Sequence, residues 1–171
     1  MRRKGVVGMF LAVGICWASF ICSGARAQSS KSPDPQQKTV VFVCEHGSAK
    51  SVVAAAHFNR LAAEKGLPYR ALARGTKPDE AVSTPVRNNL AAEGLDVSGW
   101  KPAAVSDQDI QAALQVVSVG TDLPATRSFA KGVLIEWNDI PAISQDYAAA
   151  RKAILTRVEA LVQSLSESLK K

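Results

Sequence analysis

The chain has 171 residues, 47% of them hydrophobic and 21% charged, and no long low-complexity tract, which points to one globular domain of ordinary size. Its formal net charge of +6 falls to +2 once Arg2, Arg3, Lys4 and Arg26 are set aside with the first 27 residues. That near-neutral remainder argues against a nucleic-acid partner, because such binders carry a basic face on the folded part.

The first element is not part of the fold. "MRRK" is basic, "GVVGMFLAVGICWASFICSG" is apolar, and Ala25-Arg26-Ala27 gives the small-x-small pattern of a leader-peptidase site. Residues 1–27 therefore read as a signal peptide, and the protein as exported, periplasmic or secreted in a bacterial setting, with no membrane association once the leader is cut. A retained anchor is the alternative, since the apolar stretch is nearly long enough to span a bilayer. Cys16 and Cys22 leave with the leader, so Cys44 becomes the one thiol and has no internal disulfide partner. A free thiol in that compartment is either buried and inert or kept for chemistry.

Residues 28–38, polar and holding two prolines, read as a flexible linker. Residues 39–171 then alternate between strand and helix. "TVVFVC" suits a strand buried on both faces, and a helix over 50–65 ends at Gly66. "YRALAR" is a second strand. Ser83-Thr84-Pro85 starts the next helix, which Gly94 closes, and Ser106 caps a short helix leading into "QVVSVG" as a third strand. "GVLIEW" is the fourth strand. After the loop "NDIPAIS" comes a long helix whose stripe of Tyr147, Ile154, Val158, Leu161 and Leu165 packs on the sheet. This alternation predicts a parallel, doubly wound α/β sheet without internal repeat or second domain.

The loop "CEHGSAKS" lies where such sheets bind ligands, beyond the carboxyl end of a strand and at a helix amino terminus. The unpaired N–H groups and dipole there attract an anion and favour a thiolate at Cys44. Gly47, Ser48 and Ala49 are small enough for the backbone to curl around an oxyanion, Lys50 adds charge, and the Ser51 hydroxyl can stabilise the departing sulfur.

A cysteine, five residues, then a basic residue and serine between first strand and first helix resembles the phosphate loop of the low-molecular-weight protein tyrosine phosphatases and their thioredoxin-linked arsenate reductase relatives. "ALARGT", "VRNNLAAEGLDVSGWKPAAVS", "ALQVVSVGTD" and "VLIEWNDIPA" extend the resemblance from about Val40 to the carboxyl end. It implies a three-layer, flavodoxin-like sandwich around a four-stranded parallel sheet. Cys44 takes the nucleophile's place, Glu45, His46, Gly47, Ser48, Ala49 and Lys50 form the phosphate cradle, and Ser51 is the hydroxyl partner. Asp139 falls where the family keeps its general acid. The implied activity is hydrolysis of phosphate monoesters, with a phosphotyrosine protein among the candidate ligands and no metal or organic cofactor. The alternatives are an impaired oxyanion-binding module and an arsenate reductase that relies on external thiols.

Three positions depart from the family's pattern. Lys50 replaces an arginine whose planar fork grips two phosphate oxygens, whereas an ammonium is a point charge. Glu45 sets a carboxylate beside the thiol. The family's Asp-Pro pair is split into Asp139-Ile140-Pro141. Gly47 in place of asparagine is compatible with a left-handed cradle. Where the reductases keep further cysteines, this chain has Thr121 and Asp122. Of the remaining candidates, His46 reads as structural or surface and His57 as solvated beside Arg60 and Glu64. Trp137 reads as core or a wall of the site, and Trp100 as an entrance residue or a turn anchor.

Overall fold

The computed structural model describes residues 37–123 and 133–170. The leader expected over 1–27, nearly all of the linker, and Gly132 of the fourth predicted strand lie outside the described residues. Strand β1 covers Lys38–Cys44, helix α1 Lys50–Glu64, β2 Tyr69–Gly75, α2 Thr84–Ala92, α3 Asp107–Ala112, β3 Ala113–Val119, β4 Leu134–Trp137 and α4 Tyr147–Ser168. The strands are all parallel, in the order β2-β1-β3-β4. Every predicted element is present, with ends shifted by a few residues, as fraying and local hydrogen bonding dictate.

The alternation of side chains along β1 sets the layers. Val40, Phe42 and Cys44 point to the face covered by α1, α2 and α4, where Phe42 meets Phe58 edge-on at 5.8 Å and Trp137 at 5.6 Å. Trp137 is therefore core and not a wall of the site. Val41 and Val43 point to the opposite, thinner layer with Val105, Ile110 and Val116. Of these, the fully buried Val40, Val41, Phe42, Val43, Phe58 and Val116 each contribute about 1.5–3 kcal/mol. The α/β sandwich thus has three layers of unequal depth, and the pleat commits Cys44 to the α1 side.

The helix ends follow their sequences unevenly. Ser106 and Asp109 form a complete capping box on α3, and Asp146 caps α4 through the Ala149 amide at 2.9 Å. Ser83, expected to cap α2, makes no side-chain cap bond; its amide instead donates to the Ser48 carbonyl at 3.0 Å.

His57 is a correction. It is fully buried, because its place on α1 faces α2 and α4 and not solvent. A guanidinium can only donate, so the 3.0 Å contact from Arg60 makes Nδ1 the acceptor and fixes the neutral Nε2–H tautomer. Nε2 then lies 3.5 Å from Glu93, which Arg151 of α4 grips at 2.7 and 2.5 Å. Burial pushes the His57 pKa down to about 4, with Glu93 opposing and Arg60 and Arg151 assisting. Unfolded His57 takes up its proton near 6.5 and the folded residue only near 4. The unfolded state therefore binds more protons in this window, and stability drops as pH falls through it, by at most about 3 kcal/mol. Thermal unfolding measured between these pH values should show that decline, and His57→Gln should flatten it.

Candidate active site

The β1–α1 loop is held by its carbonyls. Thr76 N–H donates to the Cys44 oxygen at 3.0 Å, Lys77 to Glu45 at 2.7 Å, Asp79 to His46 at 3.0 Å and Ser83 to Ser48 at 3.0 Å. The amides from Glu45 to Lys50 find no acceptor among the described residues, and Ala49, at the α1 N-cap, brings no capping oxygen. A backbone with its carbonyls engaged and its amides unspent, at the start of a 15-residue helix, has the arrangement that suits an anion cradle.

Two glycines permit this path. Gly47 has φ +62°, and a Cβ there would sit 2.8 Å from the Gly75 nitrogen; a Cβ on Gly75 would sit 2.7 Å from the Gly47 nitrogen. Loop and β2 end pack backbone against backbone, leaving no room for a side chain on either.

Within the loop, Cys44 Sγ lies 3.1 Å from Ser51 Oγ, and both residues are buried, Cys44 at 4% exposure. Cys44 opens onto a cleft of about 490 Å³ between the carboxyl ends of β1 and β3, the point where the strand order switches direction. Glu45, His46, Ser48, Ala49, Lys50 and Asp79 line one side, while Val119, Gly120, Ala142, Ile143 and Ser144 line the other. The cradle residues and Cys44 are thus together, as the sequence arrangement requires. Glu45 is half exposed and faces Lys77 at 3.8 Å. His46 is exposed, with Nδ1 3.3 Å from Asp79.

Lys50 and Asp139 are placed otherwise. Lys50 reaches across the cleft, where its ammonium donates to the Ile140 carbonyl at 3.0 Å and fills the space that a Gly120 side chain would need, 2.6 Å from that absent Cβ. Asp139 is 75% exposed, and both its carboxylate oxygens are held at 2.5 Å by Arg157 of α4; it does not line the cleft. Its neighbour Ile140 is buried instead, so the residue that splits Asp139 from Pro141 anchors the loop by its apolar side chain. Trp100 lines a separate cavity of about 200 Å³ behind Gly47.

Sequence reasoning missed Asp79. It accepts a hydrogen bond from Ser48 Oγ at 2.5 Å and lines the cleft from the loop after β2. Its only sequence signal is that this loop leaves the sheet at the same end as Cys44. Among the described residues no His, Cys, Asp and Glu group is arranged to hold a metal ion.

A cysteine at a strand end, a loop of unspent amides and a helix amino terminus in a 2-1-3-4 parallel sheet define a class of cysteine-loop α/β proteins. A family model described as low molecular weight phosphotyrosine protein phosphatase matches residues 39–171, and the chain belongs to that family. Among solved structures, YfkJ from Bacillus subtilis superimposes with a TM-score of 0.67 at 22% identity, covering 77% of this chain and 96% of its own. The thioredoxin-dependent arsenate reductase of Corynebacterium glutamicum gives 0.65 at 21%, covering 78% of this chain, which spans 64% of that protein. The arginine phosphatase YwlE from Geobacillus stearothermophilus gives 0.60 at 18%, covering 78% and 96%. At these identities the likenesses establish the fold. The comparison with curated proteins returned no match.

The Gly47–Gly75 packing yields a test. Gly47→Ala forces a left-handed alanine against backbone, and should cost about 1–3 kcal/mol. Denaturant unfolding should show that loss, and phosphate binding followed by calorimetry should weaken.

Proposed function

We propose that this protein is a cysteine-dependent phosphatase of phosphate monoesters, acting after export, with a phosphotyrosine protein among its candidate substrates. The observation that carries this reading is the buried Cys44 sulfur, 3.1 Å from Ser51 Oγ, opening onto an anion cradle at the amino terminus of α1. Family membership supports the coarser assignment, a cysteine-based phosphatase or arsenate reductase. Reduction of arsenate would need a second thiol to attack the Cys44–arsenate adduct, so that the two sulfurs, joined as a disulfide, supply the two electrons that arsenic gains; Thr121 and Asp122 supply no such thiol, which favours hydrolysis.

In the first step Cys44 attacks phosphorus in line while the loop amides hold the equatorial oxygens, stabilising charge where it develops. Lys50 shares one of its three N–H donors with Ile140 and has two left for the anion. The Ser51 hydroxyl stabilises the sulfur when water releases phosphate in the second step.

A second reading has specific support. With Lys50 tied to Ile140 and Asp139 tied to Arg157, the cradle could bind an oxyanion without turnover. Hydrolysis of p-nitrophenyl phosphate beside a Cys44→Ser control separates the two. For the enzyme, Lys50→Arg should raise turnover about tenfold if the bidentate fork restores ~1.4 kcal/mol of transition-state stabilisation. For a binding module, the same substitution tightens phosphate binding and leaves hydrolysis at the Cys44→Ser background, because ground-state affinity does not speed chemistry.

A further inference from the structure

Expelling an alkoxide or phenoxide from phosphorus requires a proton at the leaving oxygen, which lies opposite the attacking sulfur and hence at the open side of the cleft. Asp139 does not stand there: its carboxylate is clasped by Arg157 outside the cleft lining. Asp79 does. It is half exposed on the rim, shares the cleft with Cys44, and belongs to the segment that fixes the loop, its own amide donating to the His46 carbonyl at 3.0 Å. Ser48, buried in the cradle, donates to Oδ2 at 2.5 Å and holds the carboxyl group in one orientation. The other oxygen is 3.3 Å from His46 Nδ1, an exposed imidazole in contact with solvent protons.

Resting on the phosphatase reading, we infer that Asp79, positioned by Ser48 and His46, is the residue that protonates the leaving group. In the first step the Sγ–P bond forms, the P–O bond to the leaving group breaks, and the Asp79 proton passes to the leaving oxygen, giving an alcohol or phenol and an Asp79 carboxylate. In the second, that carboxylate takes a proton from the attacking water as the O–P bond forms and Sγ–P breaks, so phosphate leaves and both Cys44 and Asp79 return to their starting states. The His46 side chain is a positioning group that touches no reacting atom.

The test compares p-nitrophenyl phosphate, whose leaving group departs readily, with phenyl phosphate, whose leaving group needs a proton. Asp79→Asn should lower kcat/KM for phenyl phosphate about a hundredfold, the size of general acid assistance, and for p-nitrophenyl phosphate by roughly a tenth as much. Inhibition by inorganic phosphate should be retained, Asp79→Glu should recover part of the loss, and the loss on phenyl phosphate should exceed that from Asp139→Asn. Equal losses on both esters together with weakened phosphate inhibition would mean that Asp79 only shapes the loop, and would overturn the inference. So would a larger, leaving-group-dependent loss from Asp139→Asn. Absence of hydrolysis of either ester above the Cys44→Ser background would remove the phosphatase reading itself, and this assignment with it.

Discussion

The site depends on one close approach, the backbone of Gly47 against the backbone of Gly75. Because neither residue has a Cβ, the β1–α1 loop can lie on the end of β2 and spend its carbonyls on the amides of Thr76, Lys77, Asp79 and Ser83. Any side chain at the contact would part the two segments. The amides would lose their common orientation, Asp79 would lose its place beside Ser48, and the thiol would face an unshaped loop. The cradle is therefore a property of two segments, more than thirty residues apart at their closest hydrogen bonds, and not of the cysteine loop alone.

Charge around the cleft is arranged by the same economy of partners. Lys50 bridges the cradle to the β4–α4 loop through the Ile140 carbonyl, a contact that Gly120 makes room for. Asp139 turns to α4, where an exposed ion pair of this kind contributes little to stability, on the order of 0–1 kcal/mol. What fixes that loop is instead the buried Ile140 side chain, worth roughly 1.5–3 kcal/mol. Packing outweighs charge here, so an inserted apolar residue decides where a carboxylate points.

The architecture was readable from residue order because its signals are local and repeated. The β-branched run ending in Cys44, the glycines closing α1 and α2, and the Tyr147-to-Leu165 stripe each answer to short-range geometry, and their alternation leaves few topologies. The cradle was readable for the same reason, being contiguous. Asp79, His57 and the orientation of Asp139 were not, since each is settled by a partner distant in sequence. Asp79 needed the Ser48 contact across 31 positions, and Asp139 needed Arg157 across 18. His57 sits among residues that look solvated on a helical wheel, and only the closure of α2 and α4 over α1 buries it.

The near-complete enclosure of Cys44 has a consequence for its redox life. At 4% exposure the residue is screened from bulky disulfides, while the cleft of about 490 Å³ that it lines has room for a molecule the size of hydrogen peroxide. A sulfenic acid formed there would meet the Ser51 hydroxyl and, among the described residues, no second thiol. With no neighbouring thiol among the described residues to arrest it, oxidation would proceed toward the irreversible sulfinic stage unless a small thiol entered the same cleft. The loop that shelters the thiol from large oxidants thus also makes its repair depend on whatever reductant is narrow enough to follow.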